Sequence, residues 1–489
     1  MRVSELITCD TIRQWSVNDT ISITAGTGAG KSHWVKNVLY LIAAEQKEQI
    51  LFLIHRSNCI NQFQNEILKD NKQDTIKIMS YQKLESYYLK HNKHLDLNEY
   101  KYIVCDEFHY FLSDATFNKT TDLSLNNILE QKAIKIFMSA TAGSIEGYLT
   151  KFKNIDLIKY ELPINFDFIN KLCFFNNETT NETIINYVLN NTDDKAIIFI
   201  NSAEKAYKLF KKYENQATFN CSQNNSKYYK YVDKELINNI LVNEKFDKQI
   251  LITTSCMDAG VNLIDDKLKY IVINDIFDIE VIKQMIGRKR LQNKDDYINL
   301  YIKSYNNNQL GGIKSKLKQR IEKAKYFKQY GVEKYIDKYF KDNDKANIIY
   351  DINTENGFKK VLNELMFYKL VCNILSIECI TISKSGNLGF NNYISNCLDY
   401  NDRYILIEEE NKKMELNEYL ETLIGKRLFK EDQKELIDMI GLKDKQGRKQ
   451  KSISLLNSYL IENYKMTLNT SRVKNEEGKK KTIWILSRI

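Results

Sequence analysis

The sequence contains very little proline, no long apolar run and no closely paired cysteines. Pro163 is the only proline in 489 residues. No stretch approaches the ~18 consecutive apolar residues of a membrane-spanning helix, which excludes that class of protein. None of the nine cysteines forms a Cys-x-x-Cys pair, so the pattern indicates neither a zinc site nor a redox motif. Free thiols and the absence of a signal-peptide pattern at the N-terminus predict a cytoplasmic protein.

Strong net charge is also lacking. The chain has 72 Lys and Arg against 63 Asp and Glu, which gives a formal net charge of +9. This mild surplus indicates a polyanionic partner, although a lysine-rich solvated surface would give the same balance. The hydrophobic content of 43% is sufficient for packed cores. The length predicts about three domains of ordinary size.

A glycine-rich loop near the N-terminus lies between an apolar run of strand type and a helical pattern. Its residues are Ala25, Gly26, Thr27, Gly28, Ala29, Gly30, Lys31 and Ser32. Glycines let backbone N–H groups point at phosphate oxygens, and the following helix N-terminus adds partial positive charge. In such a loop Lys31 reaches the β- and γ-phosphates, and the Ser32 hydroxyl holds Mg²⁺. The loop predicts a nucleoside triphosphate site, with ATP expected, but alone it would also fit a kinase or GTPase.

A second motif, Asp106-Glu107-Phe108-His109, directly follows another apolar run. Carboxylates at the carboxyl end of a parallel strand fall beside the phosphate loop. Asp106 can share the Mg²⁺ ion with Ser32, and Glu107 can deprotonate an attacking water. The two motifs together predict nucleotide hydrolysis.

Apolar runs that alternate with helical patterns predict two successive α/β segments. The runs are 21–24, 50–54, 102–105, 134–138, 196–200, 250–252, 270–273 and 298–301. Near-continuous apolar strands of this kind are typical of parallel sheets with helices on both faces. The segment 161–168, which contains Pro163, is predicted to connect the two lobes.

Three further motifs follow in order: Ser139-Ala140-Thr141 after an apolar run, 253–262 after a strand of the second segment, and 284–290 in a helical pattern. With the first two motifs, this ordered set resembles a superfamily 2 helicase of the DExH type. The resemblance covers about residues 20–305. It implies two tandem RecA-like parallel-sheet lobes that bind ATP and Mg²⁺ and act on a nucleic acid, and it argues against a kinase or GTPase.

The resemblance also implies roles for individual residues. Nucleotide binding is assigned to the loop residues 25–32, Asp106, Gly260 and Asn262, with Ser32 and Asp106 as metal ligands. Catalysis is assigned to Lys31, Glu107, Gln284, Arg288 and Arg290, and which arginine contacts the γ-phosphate stays open. Coupling of hydrolysis to lobe movement is assigned to His109, Ser139 and Thr141. Contacts to the nucleic-acid strand are assigned to Arg56, Ser57, Gln82 and Thr254. His109 as a packed histidine and Arg56 as a surface arginine are the alternatives.

The remainder of the chain differs in character. Residues 306–402 contain a basic helical stretch and are predicted to be mainly helical. Residues 403–489 show helical patterns, a basic turn, another helix and a basic hairpin, and they resemble a winged-helix module. In this module Lys449, Lys451 and Arg472 are predicted to bind nucleic acid. The alternative is a small domain that only packs on the rest of the chain.

The sequence therefore predicts a fold of two RecA-like lobes, 1–160 and 161–305, a helical accessory region, 306–402, and a winged-helix-like module, 403–489. The expected function is that of an ATP-dependent helicase or translocase acting on DNA rather than RNA, with no membrane partner. Similar C-terminal modules occur in phage and plasmid replication proteins, which implies a bacterial or phage-infected cell and replication proteins as partners. Alternatives are an origin-binding initiator with little unwinding, an RNA helicase and a double-strand translocase.

Overall fold

A computed structural model describes residues 1–55, 57–116, 118–257, 261–339, 348–354, 357–381, 388–444, 446–474 and 480–489. The chain divides into two compact units, Met1–Tyr404 and Ile405–Ile489. Across these described ranges, no helix combines the length and apolarity needed to cross a membrane.

The first lobe is built on a sheet of six parallel strands. These are β1 (Thr20–Thr24), β2 (Gln49–Ile54), β3 (Ile76–Ser80), β4 (Tyr100–Asp106), β5 (Ile134–Ser139) and β6 (Ile158–Glu161). Their order in the sheet is β3-β2-β4-β5-β1-β6. β1 and β5 are almost wholly buried, as expected for parallel strands covered on both faces. The strands that carry the first two motifs, β1 and β4, therefore end at the same edge, separated only by β5.

Helices connect the strands of the first lobe. They are α1 (Val3–Leu6), α2 (Cys9–Arg13), α3 (Lys31–Trp34), α4 (Tyr40–Gln46), α5 (Ser57–Lys69), α6 (Tyr81–His91), α7 (Tyr110–Ser113), α8 (Thr121–Glu130) and α9 (Gly143–Gly147). Two π-helical segments, Val35–Leu39 and Tyr148–Phe152, continue α3 and α9, and a 3-10 turn covers Asp114–Thr116.

The second lobe also belongs to the first unit, where it contributes six parallel strands. These are β7 (Ile169–Phe175), β8 (Lys195–Ile200), β9 (Ala217–Asn220), β10 (Ile250–Thr253), β11 (Leu268–Asn274) and β12 (Ile298–Lys303). They lie in the order β7-β12-β11-β8-β10-β9. The helices are α10 (Thr180–Asn191), α11 (Ala203–Lys212), α12 (Ser226–Tyr229), α13 (Lys234–Asn243) and α14 (Ile279–Ile286), with a 3-10 turn at Ser255–Met257. The predicted pair of parallel-sheet lobes is confirmed.

The rest of the first unit combines helices with a hairpin that the sequence did not predict. Its elements are α15 (Asn307–Tyr339), β13 (Ile349–Thr354), β14 (Gly357–Leu362), α16 (Glu364–Thr381) and α17 (Leu388–Cys397), followed by a 3-10 turn at Asn401–Arg403. β13 and β14 pair in antiparallel fashion, a local departure from the helical expectation. Tyr350 and Ile352 of the hairpin pack against Leu123 of α8. This tertiary contact with a distant segment outweighs local propensity.

The second unit has its own apolar core. Its elements are β15 (Ile405–Leu406), α18 (Ile407–Leu423), β16 (Arg427–Leu428), α19 (Lys430–Ile440), α20 (Ile453–Tyr464), β17 (Met466–Lys474) and β18 (Lys480–Arg488). A three-stranded antiparallel sheet has the order β16-β18-β17. The buried side chains that join the helices to this sheet include Leu416, Leu420, Leu436, Leu456, Leu460 and Leu486.

Candidate nucleotide site between the two lobes

The glycine-rich loop connects β1 to α3. Gly28 and Gly30 both have φ of +84°, a left-handed conformation in which a side chain would be strained. The buried Lys31 ammonium donates to the carbonyl oxygens of Ala25 at 2.9 Å and Gly26 at 3.4 Å. Ser32 lies in the first turn of α3. The lysine is therefore held inside the loop, where it can meet a bound phosphate.

The carboxylates of the second motif lie at the end of β4. Asp106 is the last residue of this strand, and Glu107 has a φ of +48°, which turns the chain sharply. Burial and then the neighbouring Glu107 charge raise the pKa of Asp106 to about 7. Burial alone would raise the pKa of Glu107, but Lys31, His109 and Arg288 lower it well below its usual range. The Glu107 carboxylate is thus held ionised, as a proton acceptor must be.

A continuous chain of polar contacts runs from Glu107 to the second lobe. His109 Nδ1 lies 3.3 Å from Glu107 Oε2 and 2.9 Å from Ser139 Oγ. Ser139 Oγ accepts a hydrogen bond from the Thr141 backbone N–H at 3.0 Å. Thr141 Oγ1 in turn accepts one from Gln284 Nε2 at 2.8 Å. The three residues predicted to couple hydrolysis to lobe movement therefore form one buried path that ends on α14.

The arginines after α14 differ in how their guanidinium groups are bonded. Arg288 donates to the backbone carbonyls of Gln284 at 3.0 Å and Val261 at 3.2 Å. Arg290 donates from Nε and Nη2 to Asn262 Oδ1, at 2.9 and 2.5 Å. Two segments that the sequence assigned to one site, 261–262 and 284–290, are thus in direct contact.

The third nitrogen of Arg290 points at the phosphate loop. Its Nη1 is buried and has no hydrogen-bond partner within the described part of the chain. This atom lies 4.0 Å from the position that a Cβ on Gly28 would occupy. Burial and the nearby Arg288 charge lower the pKa of Arg290 to about 10. A buried unsatisfied N–H directed at a glycine-rich loop fits an anion such as a triphosphate.

A cavity of about 490 Å³ lies beside the loop, between the lobes. Residues Gly26 to Ala29 line one side of it. The other side contains Ile164, Phe166 and Phe168 of the connecting segment and Lys283 of α14. Sequence reasoning did not select these four residues, because no motif marks them. For the three residues of the connecting segment, their position between the lobes is the signal that could have suggested them, and for Lys283 it is the position one residue before Gln284.

Gly287 lies at a close approach of the two lobes. A Cβ at this position would lie 3.2 Å from both Thr27 Cγ2 and Thr27 Oγ1 and 3.3 Å from the Lys283 carbonyl oxygen. We expect Gly287→Ala to lower kcat for nucleotide hydrolysis by roughly 5- to 150-fold, since overpacking costs about 1–3 kcal/mol and here opposes the approach of the two lobes. The measurement is steady-state hydrolysis together with thermal unfolding. Gly312→Ala on α15 is the control, because the structure places no neighbouring atom within 4 Å of its Cβ position. A Gly287→Ala protein with native kcat would contradict the expectation.

The residues predicted to contact nucleic acid are only partly described. Arg56 and the Ser57 side chain lie outside the described residues. Gly260, which the sequence assigned to nucleotide binding and not to nucleic-acid contact, also lies outside them. Gln82 on α6 donates to Tyr110 Oη at 3.3 Å, and Thr254 follows β10 with its backbone N–H bonded to Asn220. In the second unit, Lys449 pairs with Asp438 at 2.7 Å. Lys451 and Arg472 are exposed there. The nucleic-acid roles of all these residues stay predictions.

Comparison with known proteins is informative for the first lobe. The chain is similar to S. cerevisiae Dbp5 bound to RNA and ADP BeF3, with 16% identity, 61% of this chain and 82% of that chain covered and a TM-score of 0.44. It is also similar to the Mycobacterium smegmatis helicase Lhr bound to ssDNA and AMP-PNP, with 14% identity, coverage of 62% and 46% and a TM-score of 0.41. No curated protein matches the sequence. Residues 61–146 match the family described as DEAD/DEAH box helicase. This part of the first lobe is therefore similar to DEAD/DEAH box helicases, as the motifs of the chain predict.

Proposed function

We propose that this protein uses ATP and Mg²⁺ to unwind or move along a nucleic acid, with DNA as the preferred substrate. The observation that carries the proposal is the polar path from Glu107 to Gln284, which joins the hydrolytic carboxylate to the opposite lobe. Chemistry that needs groups from both lobes ties hydrolysis to lobe closure. Closure in turn can advance a strand held across the two lobes.

The roles of the site residues follow from their positions. The loop and Lys31 hold the phosphates, and Ser32 with Asp106 would hold Mg²⁺, which keeps several water ligands and needs few protein groups. Bound Mg²⁺ would neutralise charge that develops on the phosphates. Glu107 takes the proton of the attacking water, and Arg290 and Arg288 stabilise the transition state from the second lobe. The role of Gly260 rests on the sequence resemblance alone.

We propose further that residues 403–489 form a winged-helix-like module that binds nucleic acid. The element order α18-β16-α19-α20-β17-β18 and the small antiparallel sheet support this proposal. Basic residues on the hairpin and in the turn before α20 supply the charge needed for phosphate contacts. A role in replication of a mobile element, replication proteins as partners and a cytoplasmic location in a bacterial or phage-infected cell remain predictions.

The proposed function is tested by the ATPase rate against single- and double-stranded DNA and RNA. We expect single-stranded DNA to give the largest stimulation. Lys31→Ala, which removes the ammonium inside the phosphate loop, is the control for contaminating activity. An ATPase rate that is indifferent to every nucleic acid would refute the proposal, and stimulation by RNA alone would favour an RNA helicase.

A second candidate function is that of a sequence-specific DNA-binding initiator, because the second unit is compact and carries exposed cations. An initiator requires one duplex sequence to bind with a large specificity ratio over other sequences. Competition binding with a panel of duplexes separates this function from the first. Equal affinity for all duplexes would exclude it.

Arg472 provides a specific test of nucleic-acid binding by the second unit. It is exposed on β17 and has no ion pair among the residues that the structure describes. We expect Arg472→Ala to weaken binding equally for all sequences and to reduce the slope of log affinity against log salt by about 1. Arg488→Ala on β18 is the matched control, since Arg488 is already paired with Glu421 at 2.7 Å. An unchanged salt slope for Arg472→Ala would exclude a phosphate contact.

A further inference from the structure

One helix of the accessory region contacts both lobes. At the start of α16, Glu364 pairs with Lys153 of the first lobe at 2.9 Å. Just over one turn later, Lys369 Nζ lies 2.5 Å from Asp278 Oδ2 of the second lobe. The same ammonium lies 4.0 Å from Glu280 Oε2. α16 therefore spans the junction that must close for hydrolysis.

The partners of Lys369 lie at the N-terminus of α14. Asp278 is the N-cap of this helix, and its Oδ1 accepts the Glu280 N–H at 3.0 Å. The other oxygen of this carboxylate is left for Lys369. Glu280 Oε1 accepts the Ser144 N–H of the first lobe at 2.9 Å. The ammonium thus contacts the two carboxylates that fix the start of α14, the helix that carries Gln284 and leads to the arginines.

Lys369 is almost fully buried, with 8% of its side chain exposed. Burial disfavours the charged ammonium, but Asp278 and Glu280 outweigh it and raise the pKa of Lys369 above its ordinary value. A buried charge is tolerated only when its partners are held in good geometry. Lys369 also lines a small cavity together with His109, Thr141 and Gln284. Lys369 therefore lies beside the polar path from Glu107.

The helix α16 packs closely against the first lobe. A Cβ on Gly147 of α9 would lie 2.6 Å from Tyr368 Oη, so any side chain at position 147 would collide with the tyrosine hydroxyl. The ring of Tyr368 also meets that of Tyr148 edge-on, with centroids 5.3 Å apart. Because Tyr368 precedes Lys369 directly, this packing holds the backbone of Lys369 against the first lobe. A movement of α14 relative to this lobe would change the distance from the Lys369 ammonium to Asp278.

We propose that Lys369 is a positioning residue for nucleotide hydrolysis, and this inference rests on the proposed ATPase function of the site. Lys369 holds the start of α14 in a fixed position relative to the first lobe. In that position Gln284 bonds to Thr141, and the segment that contains Arg288 and Arg290 lies beside the phosphate loop. The accessory region is thereby a third component of the hydrolytic site, and it acts through α14.

The experiment compares kcat and KM for ATP in the full-length protein and in Lys369→Met. We expect kcat to fall roughly 10- to 100-fold, because small misplacements of catalytic groups have effects of this size. KM should stay within about twofold, since the phosphate loop belongs to the first lobe and is not altered. Lys360→Met is the matched control, because Lys360 forms an ion pair with Asp351 at 3.0 Å on the hairpin of the same region. This control should keep native kcat.

A double variant separates positioning from stability. Lys369→Met leaves the partly buried Asp278 without its cation, whereas Lys369→Met combined with Asp278→Asn removes the Asp278 charge and keeps a good N-cap residue. We expect the double variant to recover the thermal midpoint of the wild type but not its kcat. Native kcat in either variant, with an active wild type, would overturn this inference alone. A wild-type protein that does not hydrolyse ATP would overturn the proposed function together with it.

Discussion

Glu107→Gln should lower kcat for ATP hydrolysis by roughly 10²- to 10⁴-fold, the usual contribution of a general base, with nucleotide affinity nearly unchanged. The amide has the shape of the carboxylate but cannot accept the proton of the attacking water. In the native protein Lys31, His109 and Arg288 hold the carboxylate ionised in spite of its burial. Phosphate binding depends on the loop, which the substitution does not alter. Single-turnover hydrolysis and direct nucleotide binding would measure the two quantities separately.

A second glutamate of the first lobe provides the control for this experiment. Glu85 is buried and accepts hydrogen bonds from Tyr110 Oη and Ser124 Oγ, both at 3.0 Å. Glu85→Gln changes the same chemical group, but the hydrogen-bond partners of Glu85 include none of the residues assigned to nucleotide binding or catalysis, so its kcat should remain native. Equal loss of kcat in both variants would point to general destabilisation. A Glu107→Gln protein with native kcat would show that another group takes the proton.

The parts of the site that sequence could predict are those whose chemistry is local. The phosphate loop works through its own backbone and through Lys31 and Ser32, so eight consecutive residues define it. The motif that begins at Asp106 likewise comes directly after a single apolar strand. The parallel-sheet lobes are predicted from near-continuous apolar runs. In each case the contacts that matter lie within a few residues of one another, or repeat along one strand.

The parts that sequence could not predict depend on contacts between distant segments. Tyr350 Oη donates to Asp122 across 228 positions, and this buried contact helps seat the unexpected hairpin. Lys369 and Asp278 are 91 positions apart. Neither pair lies in a periodic pattern or a motif, because the folded chain alone brings the two segments together. The lining of the nucleotide cavity by Phe166 was missed for the same reason.

The sequence also left two arginines as candidates for the γ-phosphate contact, and their hydrogen bonds favour Arg290 for this role. Arg288 uses two nitrogens to hold backbone carbonyls of its own lobe, so a large part of its role is to support the segment. Arg290 is held by Asn262 on one side, which leaves Nη1 directed at the loop. The Asn262 amide oxygen therefore orients the guanidinium group of Arg290 and leaves Nη1 available to a phosphate.

Arg290→Ala should consequently lower kcat by about 10³-fold or more, the range found for an arginine supplied across a cleft, with only a small change in thermal stability. Arg288→Ala should lower both kcat and stability, because it leaves the carbonyls of Gln284 and Val261 without these donors. Arg290→Lys keeps the charge but not the planar fork, so it should recover only part of kcat. The measurements are kcat, nucleotide affinity and the thermal midpoint for each variant, with Arg13→Ala on the surface as control. The assignment would be reversed if Arg290→Ala hydrolysed ATP at a near-native rate while Arg288→Ala was inactive but stably folded. The phosphate contact would then belong to Arg288.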